Sequence, residues 1–481
     1  MIKKNKNIII IIFIGFVMSV LLSINNLNNH DKNLVNENGN TYHKMIKYDA
    51  YRYHSHGDEI KNQIKKGTNF FKTGREHYTK YLPPRLIAAY YYFSGNDLFN
   101  NLDEKKINTG IHLPYLIMQC ALYFFSVFVF FNTVKNIIPP IACFFTIFFL
   151  CFEPTINQYH GTFWSESIFF SIQVLLISLI LRKNTSVLNY LLIGFMLGLL
   201  SLQKEYSIFY ILPVFVYFYF IKEKLTFKKT SIIIIAFFIV QSFLGLNNYV
   251  RSGQFYIMTA DSKVNLFHEL VSGVMVNKVN KTNISLREFY EKEGDDVLDW
   301  LLENSIDFDS KKLVSTYESE FKRPSYMDYR ESLNEKNKIK FDQYISYKTL
   351  YYFSKYPLDF TLYIVNKSLH ITLLNPFHIY SDHHFMSGEK YYGSKTHSRL
   401  IPIRAGYTMI IYLICLFGLF NLFQKKQYNI LIFSTLSMMY FYGLVSWNGN
   451  TRYFVPVVIY MSFFFGYGID KIIDLKNKIK I

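Results

Sequence analysis

Four cysteines, three tryptophans and twelve prolines are all that 481 residues contain, and acidic side chains are outnumbered 35 to 52 by Lys and Arg. Cys120, Cys143, Cys151 and Cys415 all fall inside apolar runs, with no CxxC and no pair in a loop. That excludes a disulfide scaffold and leaves them as small buried hydrophobes. Charged residues make up only 18%. There is no P-loop, no GxGxxG, no Ser-His-Asp order, no internal repeat and no Gly/Ser linker, so nothing supports soluble-nucleotide chemistry.

What is abundant is apolar. Phe (47) and Tyr (40) lead an aromatic share of 19%, and hydrophobic residues reach 51%, which excludes a disordered or collagen-like chain. The mean hydropathy of +0.10 averages long apolar runs against two polar stretches. The net charge of +17 sits largely in short Lys clusters beside apolar runs. Such clusters set membrane topology and do not form a nucleic-acid face.

A bilayer crossing needs about 20 apolar residues. Runs near 7–24, 112–132, 138–152, 165–182, 187–202, 206–221, 230–246, 404–423, 428–445 and 453–470 are read as spans, with 138–152 and 187–202 the short ones. Residues 1–24 read as a signal anchor, because the apolar core is long and no small-x-small cleavage site follows Leu22. Lys135, Arg182, Lys183, Lys222, Lys224, Lys228, Lys229, Lys425, Lys426 and the tail lysines then share the side of the N-terminus, while the alternate short loops carry only Lys204 and Arg452. Residues 358–376 are long enough to upset this pattern but hold Asn366, Lys367 and His370 mid-run, so they read as an interfacial or re-entrant helix on the outer face. The expected architecture is an all-α polytopic membrane protein of ten spans, with eleven the competing count. Its parts are an anchor at 1–24, a first outer loop at 25–110, six spans within 111–246, a large outer loop with a small subdomain at 247–403, and three spans with a basic tail at 404–481. Gly194 and Gly198 form a GxxxG, read as close helix packing.

Polar anchors cluster at the outer ends of these spans, where unpaired charge is costly. Asp49 precedes Tyr53, Gly57, Ile60 and Ile64 at helical spacing, so it opens an amphipathic helix, either as an N-cap or as a working acid. Asp58 and Glu59 are an alternative acid site. Pro83-Pro84-Arg85 resets the chain before a second amphipathic helix, and Arg85 either snorkels or binds. Glu166, after Phe152-Glu153-Pro154 and Trp164-Ser165, sits where a span begins and suits a helix N-terminus. Lys204 is the one cation of its loop, with a solvated pair to Glu205 as the plain reading. Arg251 and Arg452 lie at membrane boundaries among Asn and aromatics. Two Arg and one Lys on one face make an anion site where the helices converge, since Arg meets phosphate through paired N–H donors. Asp307-Phe-Asp309 has DxD spacing but sits in the charged subdomain, the sequons at Asn280 and Asn283 matter only in a secretory pathway, and His378, Asp382, His383 and His384 match no defined metal site.

In order along the chain, these motifs resemble the GT-C membrane glycosyltransferases, the branch related to bacterial protein O-mannosyltransferases, the lipid A aminoarabinose transferase and galacturonosyltransferases of the lipopolysaccharide core. The matching series is Asp49-x3-Tyr53-x3-Gly57, then Pro83-Pro84-Arg85, then Pro154 with Ser165-Glu166, then Gly194 and Gly198 running to Lys204. Asn248-Tyr249, Arg251, Gly253 and Phe255 follow, and Arg452-Tyr453 with Pro456 comes last. The likeness covers nearly the whole chain apart from about 265–355. The family often shows Asp-Glu at its catalytic position; here Asp58-Glu59 comes nine residues after Asp49, so both are carried as candidates for the base. Arg251 is likewise displaced from the family's Arg-Asn-Tyr order. The resemblance implies a GT-C-like bundle in a bacterial inner (plasma) membrane, with its site on the outer face. It implies a polyprenyl-phosphate sugar donor, a glycan, lipid or protein acceptor, and inversion at the anomeric carbon. It assigns Asp49, Asp58, Glu59 and Glu166 to catalysis and Arg85, Lys204, Arg251 and Arg452 to the donor phosphate. No metal ligand set stands out, and a divalent cation is left open. The competing expectations are a polysaccharide polymerase or ligase with a diphosphate-linked donor, and a transporter or flippase.

Overall fold

The structure is a computed structural model that describes residues 2–28, 34–35, 41–42, 49–74, 81–95, 109–182, 186–222, 226–257, 267–279, 286–311, 313, 324–372, 374, 395–445 and 454–479. It is helical throughout, apart from one antiparallel pair of two-residue strands, Leu34–Val35 and Thr41–Tyr42. Eighteen α-helices are described. The amino-terminal part holds α1 (Ile2–Asn28), α2 (Asp49–Lys65), α3 (Leu82–Ser94) and α4 (Thr109–Val134). Next come α5 (Pro140–Phe152), α6 (Pro154–Asn157), α7 (Glu166–Leu181), α8 (Val187–Gln203), α9 (Ile211–Tyr217) and α10 (Phe227–Ser252). A helical lobe follows, with α11 (Ser272–Val279), α12 (Leu286–Glu303), α13 (Tyr326–Ser332), α14 (Glu335–Lys355) and α15 (Pro357–Ile371). The chain closes with α16 (Lys395–Gln424), α17 (Tyr428–Val445) and α18 (Val455–Ile479).

Among the described residues, six helices are long and apolar enough to cross a membrane: Lys6–Leu27, His112–Val134, Pro140–Asn157, Phe227–Ser252, Pro402–Gln424 and Val455–Lys478. The chain is a helical multi-pass membrane protein on that ground. The remaining apolar runs form shorter helices, Glu166–Leu181, Val187–Gln203 and Glu205–Phe220, together with α17. Burial explains the short ones. In α7 all residues but Leu175 are buried by protein, so this helix is walled by neighbours rather than lipid and need not match the bilayer thickness. Its polar side chains stay inside: Gln173 Nε2 donates to the Pro456 carbonyl at 2.9 Å.

Small residues set the closest approaches. At Gly194 a Cβ has no room against the Ile233 carbonyl, and at Gly198 it meets Val240, so α8 and α10 pack backbone to backbone, as the GxxxG suggested. Gln241 Nε2 reaches across to the Gly198 carbonyl at 3.0 Å. The first part of the 358–376 run lies in α15, which is not among the described helices long and apolar enough to span.

Candidate functional site

Between α1 and α4, helices α2 and α3 pack against each other, and α3 against α8. Helix α2 begins at Asp49, and its Tyr53, Gly57 and Ile60 are buried, with Gly57 against Ile87 and the Pro84 carbonyl of α3. The Asp49 side chain lies outside the described residues. The opposite face of α2 is polar yet also buried. Asp58 Oδ1 accepts from Lys61 Nζ at 2.6 Å and Oδ2 accepts from Asn62 Nδ2 at 3.2 Å. Both carboxylate oxygens of Asp58 are thus engaged within its own helix. Lys61 is 1% exposed and stands 5.9 Å above the Tyr91 ring, whose hydroxyl bonds His54 Nδ1 at 2.9 Å. Burial, then the neighbouring His112, holds His54 well below its usual pKa. Glu59 is half-buried and accepts from Gln63 Nε2 at 3.2 Å.

Pro83 and Pro84 occupy the first turn of α3, where a missing N–H costs nothing. One turn on, Arg85 lays its guanidinium 3.6 Å over the Tyr81 ring and donates to the carbonyls of Tyr81 and Thr73, each at 3.2 Å. Its Nε is sealed from solvent without a hydrogen-bond partner, and among the described residues no carboxylate pairs with it. Burial pushes Arg85 down to about 10, Arg251 adds to that shift, and Tyr81 opposes it. The α10 terminus meets the same turn. Asn247 Nδ2 donates to the carbonyls of Phe71 at 2.7 Å and Thr73 at 3.3 Å, and Arg251 Nη1 lies 3.6 Å from the Cβ position of Gly74. The Thr73 carbonyl is therefore shared by Arg85 and Asn247, and Arg251, one turn after Asn247 on α10, lies in the electrostatic neighbourhood of Arg85.

Beside it, the connection between α6 and α7 is pinned from several helices. Asn26 Nδ2 donates to the Gly161 carbonyl at 3.1 Å, and Gln119 Nε2 to that of Thr162 at 2.9 Å. Phe163 sits between His54 and His112, with ring centroids 4.7 and 5.2 Å away. His160 Nδ1 bonds Ser167 Oγ at 2.9 Å while its ring lies 4.0 Å from Tyr123, and burial pushes it down to about 3. Gln203 Nε2 donates to the Ser165 carbonyl at 2.8 Å, and Lys204 Nζ to Glu166 Oε1 at 2.5 Å. Lys204 is 1% exposed, so the solvated pair with Glu205 is not what forms. Its charge is already matched by Glu166, at the α7 start where the helix dipole favours an anion; Lys204 caps α8, where it favours a cation.

The structure thus gathers Asp58, Arg85, Glu166, Lys204 and Arg251 about one end of the bundle, with Glu59 on the same helix. Arg452 lies outside the described residues, as do His378, Asp382, His383, His384, Asn280 and Asn283. Asp309 is exposed and accepts from Lys311 N at 3.0 Å. Glu153 was missed as a site residue. It is buried, caps α6, and accepts from Thr155 Oγ1 at 2.8 Å, Ile156 N at 3.0 Å and Tyr407 hydroxyl at 2.6 Å. The only signal was a Glu-Pro step closing an apolar run. Among the described residues, no group of three or more His, Cys, Asp or Glu could hold a metal ion. No protein family, curated protein or solved structure matches the chain.

Proposed function

We propose that this chain is a GT-C-type glycosyltransferase of a bacterial inner membrane, with ten spans and both termini in the cytoplasm. It moves a monosaccharide from a polyprenyl-phosphate donor to an acceptor hydroxyl at the outer face, with inversion. The observation that carries this reading is the meeting of Arg85 and Arg251 at the Thr73 turn, beside the helix that Asp49 opens. Two guanidiniums held close together at a bundle end, with no carboxylate paired to Arg85 among the described residues, suit a dianion.

In the reaction, the acceptor oxygen attacks the anomeric carbon as its bond to the phosphate oxygen breaks. The hydroxyl proton passes to Asp49 as general base. The sugar phosphodiester, a monoanion, leaves as a lipid phosphate dianion, and the charge gained in the transition state falls on Arg85 and Arg251, with Arg452 as the third cation. The Glu166–Lys204 pair braces the floor of this site, and α2 and α3 cover it against water. Asp58 serves the fold of α2, since both its oxygens are engaged.

The test mixes purified protein in lipid with a panel of polyprenyl-phosphate sugars and an acceptor-containing membrane extract, and follows free polyprenyl phosphate by mass spectrometry. Release from one donor, lost in Asp49→Asn, is the expected result. Release from none overturns the reading and favours a diphosphate-linked donor or transport.

A further inference from the structure

The lobe between α10 and α16 has its own core, in which Phe267, Leu301, Tyr326, Phe341 and Ile345 are buried. Several of its charges hold it together. Buried Arg330 donates to Asp342 Oδ1 at 3.2 Å, and Lys348 bridges Glu293 at 2.6 Å and Asp296 at 2.7 Å. One surface is different. Tyr347, Leu350 and Tyr351 of α14 and Leu358, Leu362 and Val365 of α15 are exposed. The spacings i, i+3, i+4 and i, i+4, i+7 place each trio on one face of its helix.

The chain beyond α15 says what covers this surface. The Thr372 carbonyl accepts from the Tyr412 hydroxyl at 2.6 Å, and Leu374 N donates to Thr408 Oγ1 at 3.0 Å. Thr408 and Tyr412 lie inside the apolar span Pro402–Gln424, at about 9 and 15 Å from its first residue given a rise of 1.5 Å each. The end of α15 is therefore tied at bilayer depth. Ile403, Met409 and Ile410 of that span are also exposed, so the α15 face continues a belt that lipid must cover. At the α14–α15 junction exposed Lys355 donates to the Tyr351 hydroxyl at 3.0 Å and stands over the Tyr351 and Tyr356 rings, at 5.3 and 5.5 Å. A cation on tyrosine rings suits the headgroup layer and complements anionic lipid.

We infer that this face of α14 and α15 is seated in the membrane interface, with anionic bilayer lipid as its occupant. The charged lobe is moored by its apolar elbow at the bundle end where α10 stops and α16 starts, and α14 touches α10 there. This inference stands apart from the glycosyltransferase reading.

The test places a nitroxide at Leu362→Cys in the full chain, in vesicles of phosphatidylethanolamine and phosphatidylglycerol. Asn304→Cys, an exposed position of the same lobe, is the control, and Cys415→Ser removes the one native thiol that is not buried. Collision with oxygen should exceed collision with a water-soluble nickel chelate several-fold at Leu362, and the order should reverse at Asn304. Equal nickel access at both positions overturns the inference. Dipolar coupling between Leu362 labels on two molecules, with nickel excluded, also overturns it, since a second copy would then cover the face.

Discussion

Lys204 Nζ lies 2.5 Å from Glu166 Oε1, and both side chains are buried where the end of α8 meets the start of α7. Removing one partner strands a charge that protein surrounds. Glu166→Gln and Lys204→Met should each cost about 3–5 kcal/mol. The double variant should lose less than the sum, because the second change removes the charge the first left stranded. Unfolding of the purified proteins in mixed micelles measures all three, and strictly additive losses would show that the pair is not coupled.

His160 supplies a pH dependence. Burial holds its folded pKa at about 3, against roughly 6.5 for the unfolded chain. Between these values the unfolded state binds a proton that the folded state refuses. Stability is thus full above the unfolded value and falls as pH drops toward the folded one, by up to ~1.4 kcal/mol per pH unit. His54 shifts in the same direction. His160→Phe keeps a ring against Tyr123 and removes the titration, so its thermal midpoint should fall less steeply between neutral and mildly acidic pH. An unchanged slope would place the acid sensitivity elsewhere.

Where elements begin and end was legible, because local rules govern it. Asp49 opens α2, Pro83-Pro84 opens the amphipathic α3, Glu166 opens α7, and Lys204 ends α8. Partnership was not legible. Glu205 is the sequence neighbour of Lys204, yet the helix connection buries Lys204 against Glu166. The distant Tyr407 makes Glu153 a junction between helices, a partnership with no local signal. Arg85 and Asn247 converge on the Thr73 carbonyl, and a backbone oxygen has no signature in a sequence. The protein wall around α7 was not legible either, since apolar pattern does not distinguish a lipid wall from a protein one.

The α8–α10 contact offers a packing test independent of any charge. Gly198 faces Val240 with no space for a Cβ. Gly198→Ile should force the helices apart at a cost of about 1–3 kcal/mol, and it should also break the 3.0 Å bond from Gln241 to the Gly198 carbonyl. Thermal unfolding in detergent reads the loss. Wild-type stability would mean that the two helices do not pack this closely.

The Thr73 hub separates positioning from chemistry. Arg85→Lys keeps a charge but loses the fork that reaches both the Tyr81 and Thr73 carbonyls. If Arg85 meets the leaving phosphate, kcat for polyprenyl-phosphate release should fall about 10²-fold or more. The Asn247 side chain bonds the turn, through the carbonyls of Phe71 and Thr73. Asn247→Ala should act by letting that turn and Arg85 drift, with a loss near 10-fold, about 1.4 kcal/mol of transition-state stabilisation. Combining the two changes should cost little beyond Arg85→Lys alone, because the positioned group is already gone. A fully multiplicative loss would assign Asn247 a role of its own, and an inert Arg85→Lys would move the phosphate away from α3.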